Sequence, residues 1–162
     1  MNQGLGEPLV NSMQHLNEQS WSESTLPLDR LLTEGEATGC IVTLSSSDRP
    51  PRGWAGMMDW RTQGALSHSL RSGIFTGQAG ECGYFPWNFH GSIRHILLLG
   101  IGPSESLSTR ATPPSSSLAI LEKNLKKLPG IRWALSRSEF SEKTWSAISR
   151  AIPEGGGLWI TT

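Results

Sequence analysis

The sequence is short of the residues from which catalytic and metal sites are assembled. It holds three aspartates, Asp29, Asp48 and Asp59, and all of them precede Trp60. A two-metal hydrolytic centre needs several converging oxygen ligands, and no later segment supplies them. The two cysteines, Cys40 and Cys82, form no CxxC pair. They are expected to be free, buried thiols of a reducing compartment, with a disulfide or metal role as the alternative. The four histidines, His15, His68, His90 and His95, include no pair at i,i+3 or i,i+4 and none linked to cysteine at zinc-ligand spacing. No Gly-x-Ser-x-Gly elbow occurs. The nearest approach, Gly64 to His68, puts Ser67 inside an expected helix, where a nucleophile elbow cannot be built. One nucleophile pair stays open, Cys82 with His90 or His95 across adjacent strands.

Charge of one sign is also lacking. Fourteen basic and fourteen acidic residues cancel, whereas nucleic-acid binders draw most of their affinity from a basic surplus. Nucleic acid is therefore a disfavoured partner. The longest apolar run, Ile96 to Leu99, is far too short to span a bilayer, and the first residues carry neither a basic nor an apolar signal segment. The expectation is a soluble, cytoplasmic chain that needs no cofactor.

What the sequence does have is tryptophan: Trp21, Trp54, Trp60, Trp87, Trp133, Trp145 and Trp159. Each can bury a large apolar area, and an exposed one marks a contact surface. Residues 1–25 are polar and predict a flexible N-terminal tail, with a weak helix around Val10–Leu16. Residues 26–162 alternate short apolar runs with amphipathic stretches, which predicts one α/β domain. Strands are expected at Leu26–Leu32, Cys40–Leu44, Glu81–Trp87, Arg94–Leu99, Ile131–Leu135 and Leu158–Thr161. Ser45–Gly56, with two prolines and two glycines, reads as a loop. A helix is expected from Asp59, as N-cap, to Ser72, closed by Gly73 at C′. Two more helices are expected, from Ser117 to Leu128 and from a Ser141 cap, the latter with Phe140 and Trp145 as a hydrophobic staple. The resulting β-α-β-α-β order favours parallel pairing.

Four pieces then stand out: Arg49 to Gly56, Met58 to Ser67, Leu70 to Glu81, and His95 to Pro103. The third contains Gly73, Phe75, Gly77, Gly80 and Glu81; the fourth contains Leu98, Gly100 and Gly102. Together they resemble the N-terminal, non-catalytic domain of the leucyl aminopeptidase family. There a helix ends near Gly-x-Phe-x-Gly-x-x-Gly-Glu and leads to two strands, the second ending Leu-x-Gly-x-Gly. The resemblance implies a three-layer α/β fold similar to macro domains, with a mixed, mainly parallel sheet flanked by helices. The family's catalytic domain, with its metal ligands, has no counterpart here, so no enzymatic activity is expected.

Three functions follow. The first is a protein-interaction or regulatory module, since in the aminopeptidases this domain helps to assemble the oligomer. Its surface would use Arg49, Arg52, Trp54, Trp60 and Arg61. The second is a macro-like site for a nucleotide, ADP-ribose or another small anion, formed by Gly73, Gly77, Gly80, Gly100, Gly102 and Ser104, whose turns can present amides. The third is a cryptic hydrolase. Glu81 is expected to satisfy backbone amides or to pair with an arginine.

Overall fold

The computed structural model describes residues 21–34, 36–103 and 113–161. The expected helix around Val10–Leu16 and the candidate Ser104 lie outside the described residues. The chain opens with a short strand, β1 (Ser22–Ser24), inside the stretch expected to be a tail. It pairs in parallel with the last strand, and Trp21 beside it sets its ring edge-on to Trp145.

Next comes α1 (Leu28–Thr33), where a strand was expected. Leu28, Leu31 and Leu32 are buried at i, i+3 and i+4. That is one helical face, and the intervening Asp29 and Arg30 are turned away from the core. The apolar count suggested a strand; the spacing decided for a helix.

β2 (Gly39–Ser45) is the expected β-branched central strand, buried almost throughout. The region after it departs from expectation. A helix, α2 (Gly53–Arg61), begins inside the stretch read as a loop, because the two prolines precede it rather than interrupt it. It ends early. Thr62 turns its hydroxyl back to the Met58 carbonyl (2.8 Å), and Gln63 and Gly64 both take positive φ. A separate α3 (Ala65–Arg71) follows. Asp59 is therefore not the N-cap of one long helix. From the end of α2 it accepts bonds from the Ser67 amide (2.8 Å) and hydroxyl (2.5 Å), so it caps α3 across the break. Gly73 is the C′ residue as expected. Its φ is +73°, and the Ile74 amide reaches back to the Ser69 carbonyl (3.1 Å), the Schellman arrangement.

β3 (Cys82–Phe89) and β4 (Ser92–Gly102) cover the expected strands Glu81–Trp87 and Arg94–Leu99 and pair as an antiparallel hairpin. His90 and Gly91 both have positive φ, which matches the strand twist in a two-residue turn. Then come α4 (Ser115–Leu125), β5 (Arg132–Ser136), α5 (Glu142–Ala151) and β6 (Gly157–Thr161). Ser141 caps α5 by accepting from the Thr144 amide (3.3 Å). Phe140 and Trp145 are buried on either side of that cap, so the expected staple is present.

The six strands make one sheet in the order β1-β6-β5-β2-β4-β3. Every neighbouring pair is parallel except β3 with β4. Helices cover both faces. Ile96 and Leu98 join Leu28, Val42, Met58, Leu66 and Phe75 under α1, α2 and α3. Leu97 and Leu99 join Ile41, Leu121, Leu125, Trp133 and Ile148 under α4 and α5. Successive β4 side chains serve opposite cores, which is why its sequence is apolar without interruption. The fold is the three-layer α/β architecture, with a mixed, mainly parallel sheet, expected from the sequence.

Candidate functional site

In an open, largely parallel sheet the natural place for a ligand is outside the carboxyl ends of two adjacent strands whose connections leave in opposite directions. Here those strands are β2 and β5. From β2 the chain runs to β4 and β3 on one side; from β5 it runs through α5 to β6 on the other. The two share only the register pairs Gly39 with Trp133 and Cys40 with Ala134. Beyond them the two strands part: β5 stays with β6 as far as Ser136, and β2 stays with β4 as far as Ser45.

Glu139, on the loop after β5, bridges the gap to β2 and α2. The Thr43 amide (3.0 Å) and hydroxyl (3.2 Å) donate to its Oε2, and the Trp54 amide in the first turn of α2 donates to its Oε1 (3.3 Å). Part of the residue reaches the surface, but its carboxyl end points inward. The surroundings of those oxygens, not of the stem, set its proton affinity. Burial pushes its pKa up to about 7 against the pull of these three donors. Both strands run out in matching turns, Leu44-Ser-Ser-Ser-Asp48 and Leu135-Ser-Arg-Ser-Glu139. Ser45 and Ser47 hydroxyls meet at 2.9 Å, and those of Ser136 and Ser138 at 2.8 Å.

Of the glycine candidates, Gly77, Gly80, Gly100 and Gly102 come together beside the ends of β2 and β4, while Gly73 ends α3 with open space around it. A Cβ on Gly100 would lie 2.2 Å from the Gln78 carbonyl oxygen, and one on Gly77 would lie 2.9 Å from the Ser45 carbonyl carbon. The Gly102 amide donates to the Gly77 carbonyl (2.9 Å). Ser117 Oγ accepts from the Gly80 amide (3.0 Å) and donates to the Gly100 carbonyl (2.6 Å). The amides of the Gly73–Gly80 turn that face one point are those of Thr76, Gly77 and Gln78. All three donate to the Glu81 carboxylate, at 2.8, 2.7 and 3.2 Å, and the Thr76 hydroxyl adds a fourth bond at 2.7 Å. Burial acts to raise the Glu81 pKa, but those bonds outweigh it and hold it below the ordinary carboxylate range. Glu81 thus satisfies backbone amides, one of its two expected roles, and fills that turn from within.

The arginine and tryptophan candidates divide into two groups. Arg49 donates to the Ser45 and Thr76 carbonyls (3.4 and 3.1 Å) and ties the two loops together. Arg52 pairs with Asp48 at 4.0 Å, and Trp54 packs half-buried on the first core. At the far end of α2, Trp60 is 72% exposed. The Arg61 guanidinium lies 4.9 Å from its ring centroid and also pairs with Asp29.

The nucleophile pair does not form. His95 Nδ1 is bonded to the Tyr84 hydroxyl (2.8 Å) and the two rings stack. Along the β3–β4 ladder His95 lies opposite Pro86, about 13 Å from Cys82 at strand spacing. His90 lies in the hairpin turn. Burial pushes the Cys82 thiol up to about 12 and raises Cys40 further, so neither is a ready thiolate at neutral pH. Among the described residues, no three histidine, cysteine or acidic side chains gather to hold a metal, and no helix is long and apolar enough to cross a membrane.

One surface feature was not foreseen. Among the described residues β3 is an edge of the sheet, with β4 as its one partner. Gly100 donates to the Glu81 carbonyl (2.9 Å). By alternation along an antiparallel ladder, the backbones of Cys82 and Tyr84 face outward, until Pro86 interrupts the row. A cavity of about 570 Å³ runs beside this edge, lined by Ile74, Phe75, Cys82, Tyr84, Ile120 and Asn124. Ile74 is 78% exposed there, and Ile93 and Tyr84 are also exposed.

No protein family's sequence profile and no curated protein matches the chain. Solved structures do. A mutant of tomato leucine aminopeptidase superposes with a TM-score of 0.57 over 88% of this chain at 15% identity. The match covers 32% of the tomato enzyme, so this chain spans about a third of it. The macrodomain of Thermus aquaticus DarG aligns with a TM-score of 0.57 and 15% identity, over 81% of this chain and 93% of that one. The macrodomain of Mycobacterium tuberculosis DarG gives 0.56 and 13%, over 86% and 97%. At such identities the likeness is one of fold.

Proposed function

We propose that this chain is a non-catalytic protein-interaction or regulatory module. One observation carries the reading. The two amide clusters that this fold could turn toward an anion are already bonded to the protein's own carboxylates, Glu81 and Glu139. Large apolar side chains meanwhile stand at the surface: Trp60 and Met57 on α2, and Ile74, Tyr84 and Ile93 around the β3 edge. Exposed aromatic groups are what interfaces use as anchors, and a free strand edge offers backbone pairing. The absence of net charge further favours protein over nucleic acid as the partner.

The test is light scattering on the purified chain over a range of concentrations, with cross-linking mass spectrometry in lysate. The reading expects self-association or cross-links from α2 or the β3 edge, lost on Trp60→Ala or Ile74→Ser. A strict monomer that yields no such cross-links contradicts it.

A second reading, binding of a nucleotide, ADP-ribose or another small anion, is favoured by the parting of β2 and β5 at the switch point of the sheet. It requires Glu139 to give up the Trp54 and Thr43 amides. A thermal shift with such a ligand that is lost when Thr43 or Glu139 is altered supports it.

A further inference from the structure

The β3 edge forms the floor of a slot. The phase of its backbone is set by the β3–β4 register and by the Gly100 amide, which donates to the Glu81 carbonyl (2.9 Å). Glu81, Gly83 and Phe85 therefore bond inward to β4. Cys82, Tyr84 and Pro86 turn their backbones outward. They offer two amides and three carbonyls along about 13 Å of strand. The cavity of about 570 Å³ beside them takes its walls from both helical layers. Ser69 of α3, with Ile74 and Phe75 after it, stands on one face of the sheet, and Ile120 and Asn124 of α4 stand on the other. A cavity of this size holds a ligand. With unpaired backbone along its floor and room for side chains toward either wall, it has the section of a β-strand.

The edge and the rim select the occupant. A second copy of β3 fits poorly. A two-fold pairing centred on Tyr84 sets Cys82 against Pro86, which has no amide to give, and the copy brings its own α3 and α4 against these walls. The rim is basic. Arg71 at the end of α3, and Lys123 and Lys127 in and after α4, are exposed. None of the three has an ion pair among the described residues. Ile120, Asn124 and Lys127 follow at i, i+4 and i+7, which is one helical face. The carboxylate in the cavity lining, Glu81, is already bonded to the Thr76, Gly77 and Gln78 amides. Glu122 lines a separate depression with Lys126 and Arg150.

We propose that this slot binds an extended, acidic-flanked segment of a partner protein, which joins the six-stranded sheet as a further strand beside β3. Apolar side chains of that segment pack on Ile74 and Phe75, the alternate ones face Tyr84 and Asn124, and its acidic ends meet Arg71, Lys123 and Lys127. The proposal rests on the interaction reading above and gives it a site and a class of partner.

The test is an amide ¹H–¹⁵N titration of the intact chain with the synthetic peptide acetyl-Glu-Val-Thr-Val-Thr-Val-Glu-amide. Backbone pairing tolerates sequence, so a generic strand suffices as the probe. The Cys82 and Tyr84 amides should shift saturably and exchange more slowly with solvent. The same peptide N-methylated at its central residues should bind about tenfold more weakly, and a version with Lys for Glu should also bind more weakly. Tyr84→Pro removes an outward amide and leaves the bonds to β4 in place, as Pro86 does, so it should weaken binding too. Absence of saturable shifts up to millimolar peptide, or equal binding of either altered peptide, overturns the proposal, and both peptide controls use the wild-type chain. Cross-links through Trp60 with no peptide binding at β3 would leave the interaction reading standing while removing this site.

Discussion

Thr43 and Glu139 lie 96 positions apart and share two hydrogen bonds, the Thr43 amide (3.0 Å) and hydroxyl (3.2 Å) both donating to Glu139 Oε2. The Thr43 amide lies beyond the register that β2 shares with β5. A side chain thus takes over where the neighbouring strand has stopped, and it keeps a central strand satisfied while the sheet splits.

That relationship has a consequence for stability. The folded-state pKa of Glu139 is raised, from 4.5 to about 7. Between those values the native state holds more protons than the unfolded chain, so this group's contribution is full below pH 4.5 and is lost as pH rises to 7. The loss is at most roughly 3 kcal/mol. Urea denaturation across pH 4.5–8 should show this decline in the wild type and a smaller one in Glu139→Gln.

Glu81 works in the opposite sense. Its pKa is lowered in the folded state, so its contribution is present above the unfolded value and is lost as pH falls through the folded one. Glu81→Ala leaves the Thr76, Gly77 and Gln78 amides without their acceptor. Denaturant melts at pH 7 should show a loss of about 2 kcal/mol or more.

Gly100→Ala should be far more damaging than Gly130→Ala. A Cβ at Gly100 would meet backbone at 2.2 Å, while Gly130, which sits at positive φ, has open space around it. The expected cost is about 3 kcal/mol at Gly100, from enforced backbone movement, against about 1 kcal/mol at Gly130 from conformation alone. Thermal melts of the two variants compare them directly.

Trp60 and Phe75 separate surface from core. Trp60→Ala removes a mostly exposed ring and should leave stability within about 0.5 kcal/mol. Phe75→Ala empties a buried site and should cost about 3–5 kcal/mol. An interaction defect in Trp60→Ala without a stability defect would assign the ring to binding.

The C-terminal half of the fold was legible in the residues because each element there carries its own signals. β4 is apolar on both faces, α5 has both a cap and a staple, and the β3–β4 turn has Gly91. The N-terminal half was misread where two periodicities compete. Leu26–Leu32 is apolar enough for a strand, yet Pro27 and the spacing of Leu28, Leu31 and Leu32 start a helix. The double proline at Pro50 and Pro51 suggested a loop but only delays α2. β1 was missed because its Ser-Glu-Ser gains order from β6 rather than from its own side chains. At the candidate site, the glycines were read as turns able to present amides to an anion, whereas what Gly77 and Gly100 display is close approach of backbone to backbone; one of the roles foreseen for Glu81 is the observed one. Glu139 was missed. Its signal was the repeated Leu-Ser-x-Ser-acid ending of β2 and β5, whose meaning depends on those strands being neighbours.

The most direct test of the central claim is an amide ¹H–¹⁵N titration with ADP-ribose at neutral pH. If the protein's own carboxylates fill the sites an anion would use, the Thr43, Trp54, Thr76, Gly77 and Gln78 resonances stay still up to millimolar ligand. Saturable shifts at those amides would contradict the account.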